Sequence, residues 1–233
     1  MPADAPCALV TGGSSGIGRA IAEDLLAHGM RVSIAARTPA RAGLEGSHPI
    51  AIDLGDPAAA ACAVAAHMAE HGRLDVLVNA AGVACAERVD EVSLGALETQ
   101  LALNVSATIA VCTAALPHLR ARRGLIVNVA SIVGLQGDPG LAVYSATKHA
   151  IVGYSRSLAE ALRRDGVRVT ALCPGYVATP FSERAQARVP ADEMIQTADC
   201  ARAVRMLLEL SPQTFVPELV LDRLGSVGAR LRA

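Results

Sequence analysis

The stretch Tyr144-Ser145-Ala146-Thr147-Lys148 sets a phenol and an ammonium four positions apart. On a helix that spacing brings both side chains onto one face. A phenol with a pKa of ~10 is a poor proton acceptor at neutral pH. An ammonium ~4 Å away, in an effective dielectric of ~20, favours the phenolate by about 4 kcal/mol, roughly 3 pKa units before desolvation. That brings a tyrosine into the range of acid–base catalysis. On a surface helix such a pair is ordinary, and the weight comes from Ser131. This serine closes the apolar run Leu125-Ile126-Val127-Asn128-Val129, shortly before the tyrosine helix begins. A hydroxyl there and the phenol can converge on one substrate oxygen.

The elements that must position these groups follow from the apolar pattern. Strands are predicted at Cys7 to Val10, Arg31 to Ala36, Ile50 to Asp53, Leu74 to Val78, Leu125 to Val129, Val167 to Leu172 and Glu218 to Leu221. Helical patterns lie between them. One has Ile17, Ile21, Ala22 and Leu25 facing the sheet and closes at His28-Gly29, and an Ala-rich one follows Pro57. Two more run from about Leu94 to Arg122, interrupted near Asn104, another from Tyr144 to Arg164, and a last from Asp199 to Leu210. Unbroken apolar strands alternating with helices predict an α/β fold, a doubly wound parallel sheet of Rossmann type forming one domain over residues 1–233. The least patterned stretch, about 179–198, is a place for a substrate lid.

In such sheets ligands sit beyond the carboxyl ends of the strands. Thr11-Gly12-Gly13-Ser14-Ser15-Gly16-Ile17-Gly18 occupies that position after the first strand and opens a helix. Gly12 can adopt backbone angles that other residues avoid. Gly16 and Gly18 are expected to let the chain approach a pyrophosphate, with free helix N–H groups turned towards that anion. A flexible Gly/Ser turn would read the same in isolation; its place between a strand and an amphipathic helix favours dinucleotide binding.

Composition narrows the class. The chain has 233 residues and a net charge of −1, which speaks against a nucleic-acid backbone binder. No uninterrupted apolar stretch reaches the ~20 residues of a spanning helix, and the N-terminus lacks the basic start of a secretory signal. Six cysteines, Cys7, Cys62, Cys85, Cys112, Cys173 and Cys200, lie dispersed among apolar residues. They read as buried, reduced core thiols of a cytoplasmic protein, and no cluster has metal-ligand spacing.

The glycine loop, Ser131 and Tyr-x-x-x-Lys, in this order and spacing, resemble the short-chain dehydrogenase/reductase family from Cys7 to about Asp222. The resemblance implies that Tyr144 exchanges the substrate proton and that Ser131 hydrogen-bonds the carbonyl oxygen. It also implies that Lys148 lowers the tyrosine pKa and binds the nicotinamide ribose, and that Asn104 is a fourth catalytic residue holding a water near Lys148. It assigns cofactor contacts to Gly12, Ser14, Ser15, Gly16, Ile17 and Gly18, to Asp53-Leu54 at the adenine, and to Asn79, Ala80 and Gly82. Pro174, Gly175, Val177 and Thr179 fall at the nicotinamide. Ala80 stands where the family's N-N-A-G element has a second Asn.

The second strand ends at Ala36 without the acid that binds a ribose 2′-hydroxyl, and Arg37 and Thr38 follow. Arg37 can pair with a 2′-phosphate. NADP(H) is therefore the expected cofactor, with NAD(H) as the alternative. The expected substrate is a small-molecule ketone, aldehyde or secondary alcohol, and the other reading is a dinucleotide sensor or scaffold, which would have no need of all four catalytic positions. The pocket wall is expected from Ile132, Val133, Leu141, Tyr176 and the lid as far as Ile195, with Gln136 and Asp138 as polar members. The ending Val216 to Asp222 departs from the glycine-rich ending common in 3-oxoacyl reductases. Ala-rich helices between Ser106 and Leu162, with the resemblance, imply a homodimer or homotetramer without membrane or nucleic-acid partners. His149 is given no role.

Overall fold

In the computed structural model, residues 4–56, 58–85, 88–182 and 189–226 are described. Seven strands form one parallel sheet in the order β3-β2-β1-β4-β5-β6-β7. They are β1 (Cys7–Thr11), β2 (Arg31–Ala36), β3 (His48–Ala51), β4 (Val76–Asn79), β5 (Leu125–Val129), β6 (Arg168–Pro174) and β7 (Glu218–Leu221). The helices are α1 (Gly16–Ala27), α2 (Ala59–His71), α3 (Leu94–Gln100), α4 (Ala107–Arg122), α5 (Ala142–Leu162) and α6 (Thr197–Glu209). Strand order reverses between β1 and β4, which opens a crevice at their carboxyl ends.

Two apolar layers sandwich the sheet. Ile21, Ala22 and Leu25 of α1 meet Val204 and Leu207 of α6 on one face. Val111, Ala115 and Leu119 of α4 and Ala159 and Leu162 of α5 cover the other. The strand interiors face both layers, so their apolar runs are unbroken.

The interruption near Asn104 is a π-helical turn, Leu101–Ser106, between α3 and α4. Such turns insert a residue and re-aim the backbone, often at functional sites. The continuous helical run Leu94–Arg122 is long and apolar enough to cross a membrane by length and average composition. The sequence reading missed this because polar residues interrupt the run while its alanines keep the mean high. Its inner face, including Val111 and Leu119, packs in the core.

β3 starts two residues before the expected Ile50 and takes in Pro49, which an edge strand tolerates. Asp53 therefore lies past the strand, where its carboxylate accepts from the Gly55 N–H at 2.9 Å. Pro57 lies outside the described residues. Cys7, Cys112, Cys173 and Cys200 are buried, but Cys62 is exposed and Cys85 half-buried, against the expectation of six core thiols. Cys62 falls on the solvent side of α2, and the Ala-rich sequence of that helix gives little sign of which face is which.

Candidate active site

A cleft of about 1230 Å³ runs across the carboxyl edge of the sheet. Gly12, Ser14, Ser15, Gly16, Ile17 and Gly18 form its central wall. Arg37, Thr38, Asp53 and Leu54 line one end. Ser131, Tyr144 and Lys148 lie on its wall with Ala80 and Gly82, and Pro174, Gly175, Val177 and Thr179 complete it.

The glycine loop is shaped by its own packing. Gly12 has φ +68°, and a Cβ there would stand 2.7 Å from the Ala81 backbone. Thr11 fixes this contact, its hydroxyl accepting from the N–H groups of Ala80 and Ala81 at 3.2 and 3.4 Å. Gly18 differs from its expected role. Its missing side chain points at the Gly12 carbonyl, 2.6 Å from an added Cβ, so it permits helix–loop packing within the protein. Gly16, at φ +54°, faces Thr179 across the cleft. No side chain caps α1 at Ser15, and its first turn holds no acid. Its free N–H groups and positive end therefore suit a pyrophosphate. The cradle and the length of the cleft fit a dinucleotide.

Tyr144 and Lys148 share one face of α5, and both are buried. Ser131 sits just beyond β5 in extended conformation, and its hydroxyl lies in the same corner, accepting from the Val133 N–H at 3.3 Å and reaching the Pro174 carbonyl at 3.5 Å. The Lys148 ammonium donates to the Val129 carbonyl at 2.8 Å and lies 5.5 Å from the centre of the Tyr144 ring. Burial lowers the Lys148 pKa from 10.5 to about 8. Burial also pushes the Tyr144 hydroxyl above its ordinary value, against a smaller pull from the nearby Ser131 hydroxyl. This is opposite to the depressed phenol pKa expected from the Tyr-x-x-x-Lys spacing. Desolvation outweighs the ammonium, which is turned to a carbonyl and over the ring. By itself the chain holds Tyr144 as a protonated phenol, a proton donor.

Asn104 is buried in the π turn and does not line the cleft. Its amide accepts from the Val83 N–H and donates to the Val83 carbonyl, both at 2.8 Å, and donates to the Thr147 hydroxyl at 3.0 Å. It thus clamps the loop after β4 to the tyrosine helix. Gly82 lets that loop pass close to the site, since a Cβ there would lie 3.7 Å from the Lys148 ammonium.

Asn79 corrects a second expectation. Its side chain leaves the cleft and enters the core, donating to Asn128 at 2.9 Å and to Cys112 at 3.2 Å. Asn128 in turn donates to Ser155 at 2.9 Å. Asn79 and Asn128 are register partners in β4 and β5, so their side chains share one sheet face. Ile195 also leaves the expected pocket wall; it bridges Val177 and packs on the core. Within the expected lid, residues 183–188 lie outside the described ones. Ile132, Val133, Gln136, Asp138, Leu141 and Tyr176 line the cleft as expected, and His149 is exposed.

Sequence reasoning did not find Arg41, Phe181 or Thr147. Arg41 lines the cleft from the one-turn helix Pro39–Ala42. Phe181 lies 5.7 Å from Tyr144, ring centre to ring centre. An arginine four residues past Arg37 was the available signal for the first; the other two depend on tertiary approach.

The family profile described as short chain dehydrogenase matches residues 6–189. The 3-oxoacyl-[acyl-carrier-protein] reductase of Bos taurus is 37% identical, over 94% of this chain and 97% of the bovine one. A short chain dehydrogenase from Burkholderia cenocepacia, solved in complex with NADP, superposes with a TM-score of 0.85 at 33% identity, over 93% of this chain and 96% of that one. A 3-ketoacyl-(acyl-carrier-protein) reductase from Brucella melitensis, complexed with NADH, gives a TM-score of 0.86 at 26% identity, over 94% and 98%. This chain belongs to the short-chain dehydrogenase family. It is an NAD(P)-dependent oxidoreductase acting between C–OH and C=O groups, which sets aside the sensor reading.

Proposed function

We propose that this enzyme interconverts a ketone or aldehyde with the corresponding alcohol, with Tyr144 exchanging the proton, and that it prefers NADP(H) to NAD(H). The observation that carries the reading is the half-buried Ser131 hydroxyl together with the buried Tyr144 hydroxyl and the buried Lys148 ammonium on one cleft wall. The nicotinamide, when bound, supplies or accepts the hydride. Tyr144 gives its proton to the carbonyl oxygen on reduction and takes it back on oxidation. Ser131 donates a hydrogen bond to that oxygen and stabilises the charge that develops there. Lys148 steadies the phenolate left behind and holds the nicotinamide ribose. Asn104 is a positioning residue that sets the spacing between the Gly82 loop and α5.

The NADP(H) preference rests on Ala36 at the end of β2, with Arg37, Thr38 and Arg41 beyond it. Neither the Arg37 nor the Arg41 guanidinium has a hydrogen-bond or ion-pair partner among the described residues, so both are available to a 2′-phosphate. The residues of 179–182 form the described part of a substrate cover. A cytoplasmic homodimer or homotetramer, independent of nucleic acid and membrane, accords with family membership and a near-neutral charge. Mixing the protein with NADPH or NADH and a panel of carbonyl compounds, and following cofactor absorbance, tests the reaction. Oxidation of NADPH with several carbonyls is the expected result; failure with both cofactors across the panel overturns it. Light scattering that finds a 23.9 kDa monomer at micromolar concentration overturns the assembly.

A further inference from the structure

The chain is poor in aromatic residues, with three Tyr, two Phe and no Trp. Three of these five, Tyr144, Tyr176 and Phe181, line the cleft at its reacting end. The Phe181 ring leans over Tyr144 at 5.7 Å with a 48° tilt, within the range of an attractive aromatic pair. Yet it is 51% exposed, so half its apolar surface is open. Its place is fixed by a short turn, Pro180–Ser182, in which the Ser182 N–H donates to the Thr179 carbonyl at 2.9 Å and the two side-chain hydroxyls meet at 3.2 Å. Ile132 and Leu141 add aliphatic wall.

Charge on this end points the same way. Glu98 and Asp138 place carboxylates on the cleft, and Arg223 is drawn to Glu193 at 3.3 Å. An anionic or phosphate-bearing substrate meets like charge there.

We infer that the substrate is an uncharged aryl ketone, or the matching aryl carbinol, with its ring against Phe181 and Tyr176 and its oxygen at Tyr144 and Ser131. This rests on the oxidoreductase reading above and adds the substrate class. In the reduction, aryl ketone, NADPH and one proton give aryl carbinol and NADP⁺; hydride joins the carbonyl carbon and the Tyr144 proton joins the oxygen.

Matched substrates test it. Acetophenone and cyclohexyl methyl ketone have similar bulk but differ in π character, and the N-acetylcysteamine thioester of acetoacetate represents an acyl-thioester substrate. An aromatic contact predicts a kcat/KM preference for acetophenone over the cyclohexyl ketone of about 2- to 12-fold. Phe181→Leu keeps apolar bulk and should bring that ratio close to one. Phe215→Leu changes the remaining phenylalanine, which sits against Arg163 away from the cleft, and should leave the ratio as in wild type. Equal use of the two ketones by wild type, an unchanged ratio in Phe181→Leu, or faster turnover of the thioester overturns the substrate class and leaves the oxidoreductase standing. No turnover of any member by a protein that binds NADPH overturns the oxidoreductase reading and this inference with it.

Discussion

Replacing Lys148 by Met should abolish turnover and yet not weaken the fold at neutral pH. The ammonium is buried, and desolvation lowers its pKa from 10.5 to about 8. At about 1.4 kcal/mol per pH unit, holding the charge inside destabilises the native state by about 3 kcal/mol. Below pH 8 the lysine is charged in both folded and unfolded chains, and the whole penalty applies. Between pH 8 and 10.5 the unfolded chain binds more protons than the folded one, so stability rises with pH. Methionine removes the penalty at every pH, but it leaves the Val129 carbonyl without its 2.8 Å donor, a loss of about 1–3 kcal/mol. The variant should therefore match wild type at pH 7 or exceed it by up to about 2 kcal/mol. From pH 7 to pH 10 the gap should move in favour of wild type by about 2.5 kcal/mol. Urea unfolding of both proteins at the two pH values, at one protein concentration, measures this. A variant clearly less stable at pH 7, with no change in the gap at pH 10, refutes the buried-charge account.

Other outcomes follow from the same geometry. Arg41→Ala should weaken NADPH binding about 10- to 100-fold through loss of a charge-assisted phosphate contact, while NADH binding holds; calorimetric titration checks it, and equal loss for both cofactors removes Arg41 from the 2′-phosphate site. Asn79→Ala should lower unfolding stability by about 1–3 kcal/mol, because Asn128 loses its donor in the core. Its NADPH affinity should stay within about twofold, since that side chain is off the cleft, and a large affinity loss contradicts the placement.

Much of this architecture can be read from the chain. β2, β5 and β7 have the predicted limits, and the break at Asn104 becomes a π turn. Family spacing leads to Ser131, Tyr144 and Lys148 because each is tied to an element whose period is visible. Side-chain direction at strand ends is not visible in this way. Asn79 turns into the core because β4 and β5 pair it with Asn128, a register that appears only when the strands are assembled. Burial is likewise a tertiary property, and it reverses the expected direction of the Tyr144 pKa. The approach of Phe181 to Tyr144 joins segments 37 residues apart in sequence, through a turn that carries no apolar period.

The central claim is that the Tyr144 hydroxyl carries the transferred proton. Tyr144→Phe removes that oxygen and keeps a ring in the same buried place, 5.7 Å from Phe181. The decisive measurement is the single-turnover rate of carbonyl reduction at saturating NADPH, alongside NADPH affinity and the unfolding midpoint. The rate should fall by about 10²–10⁴-fold while binding and unfolding stay close to wild type. A variant that reduces substrate within a few-fold of the wild-type rate contradicts the account.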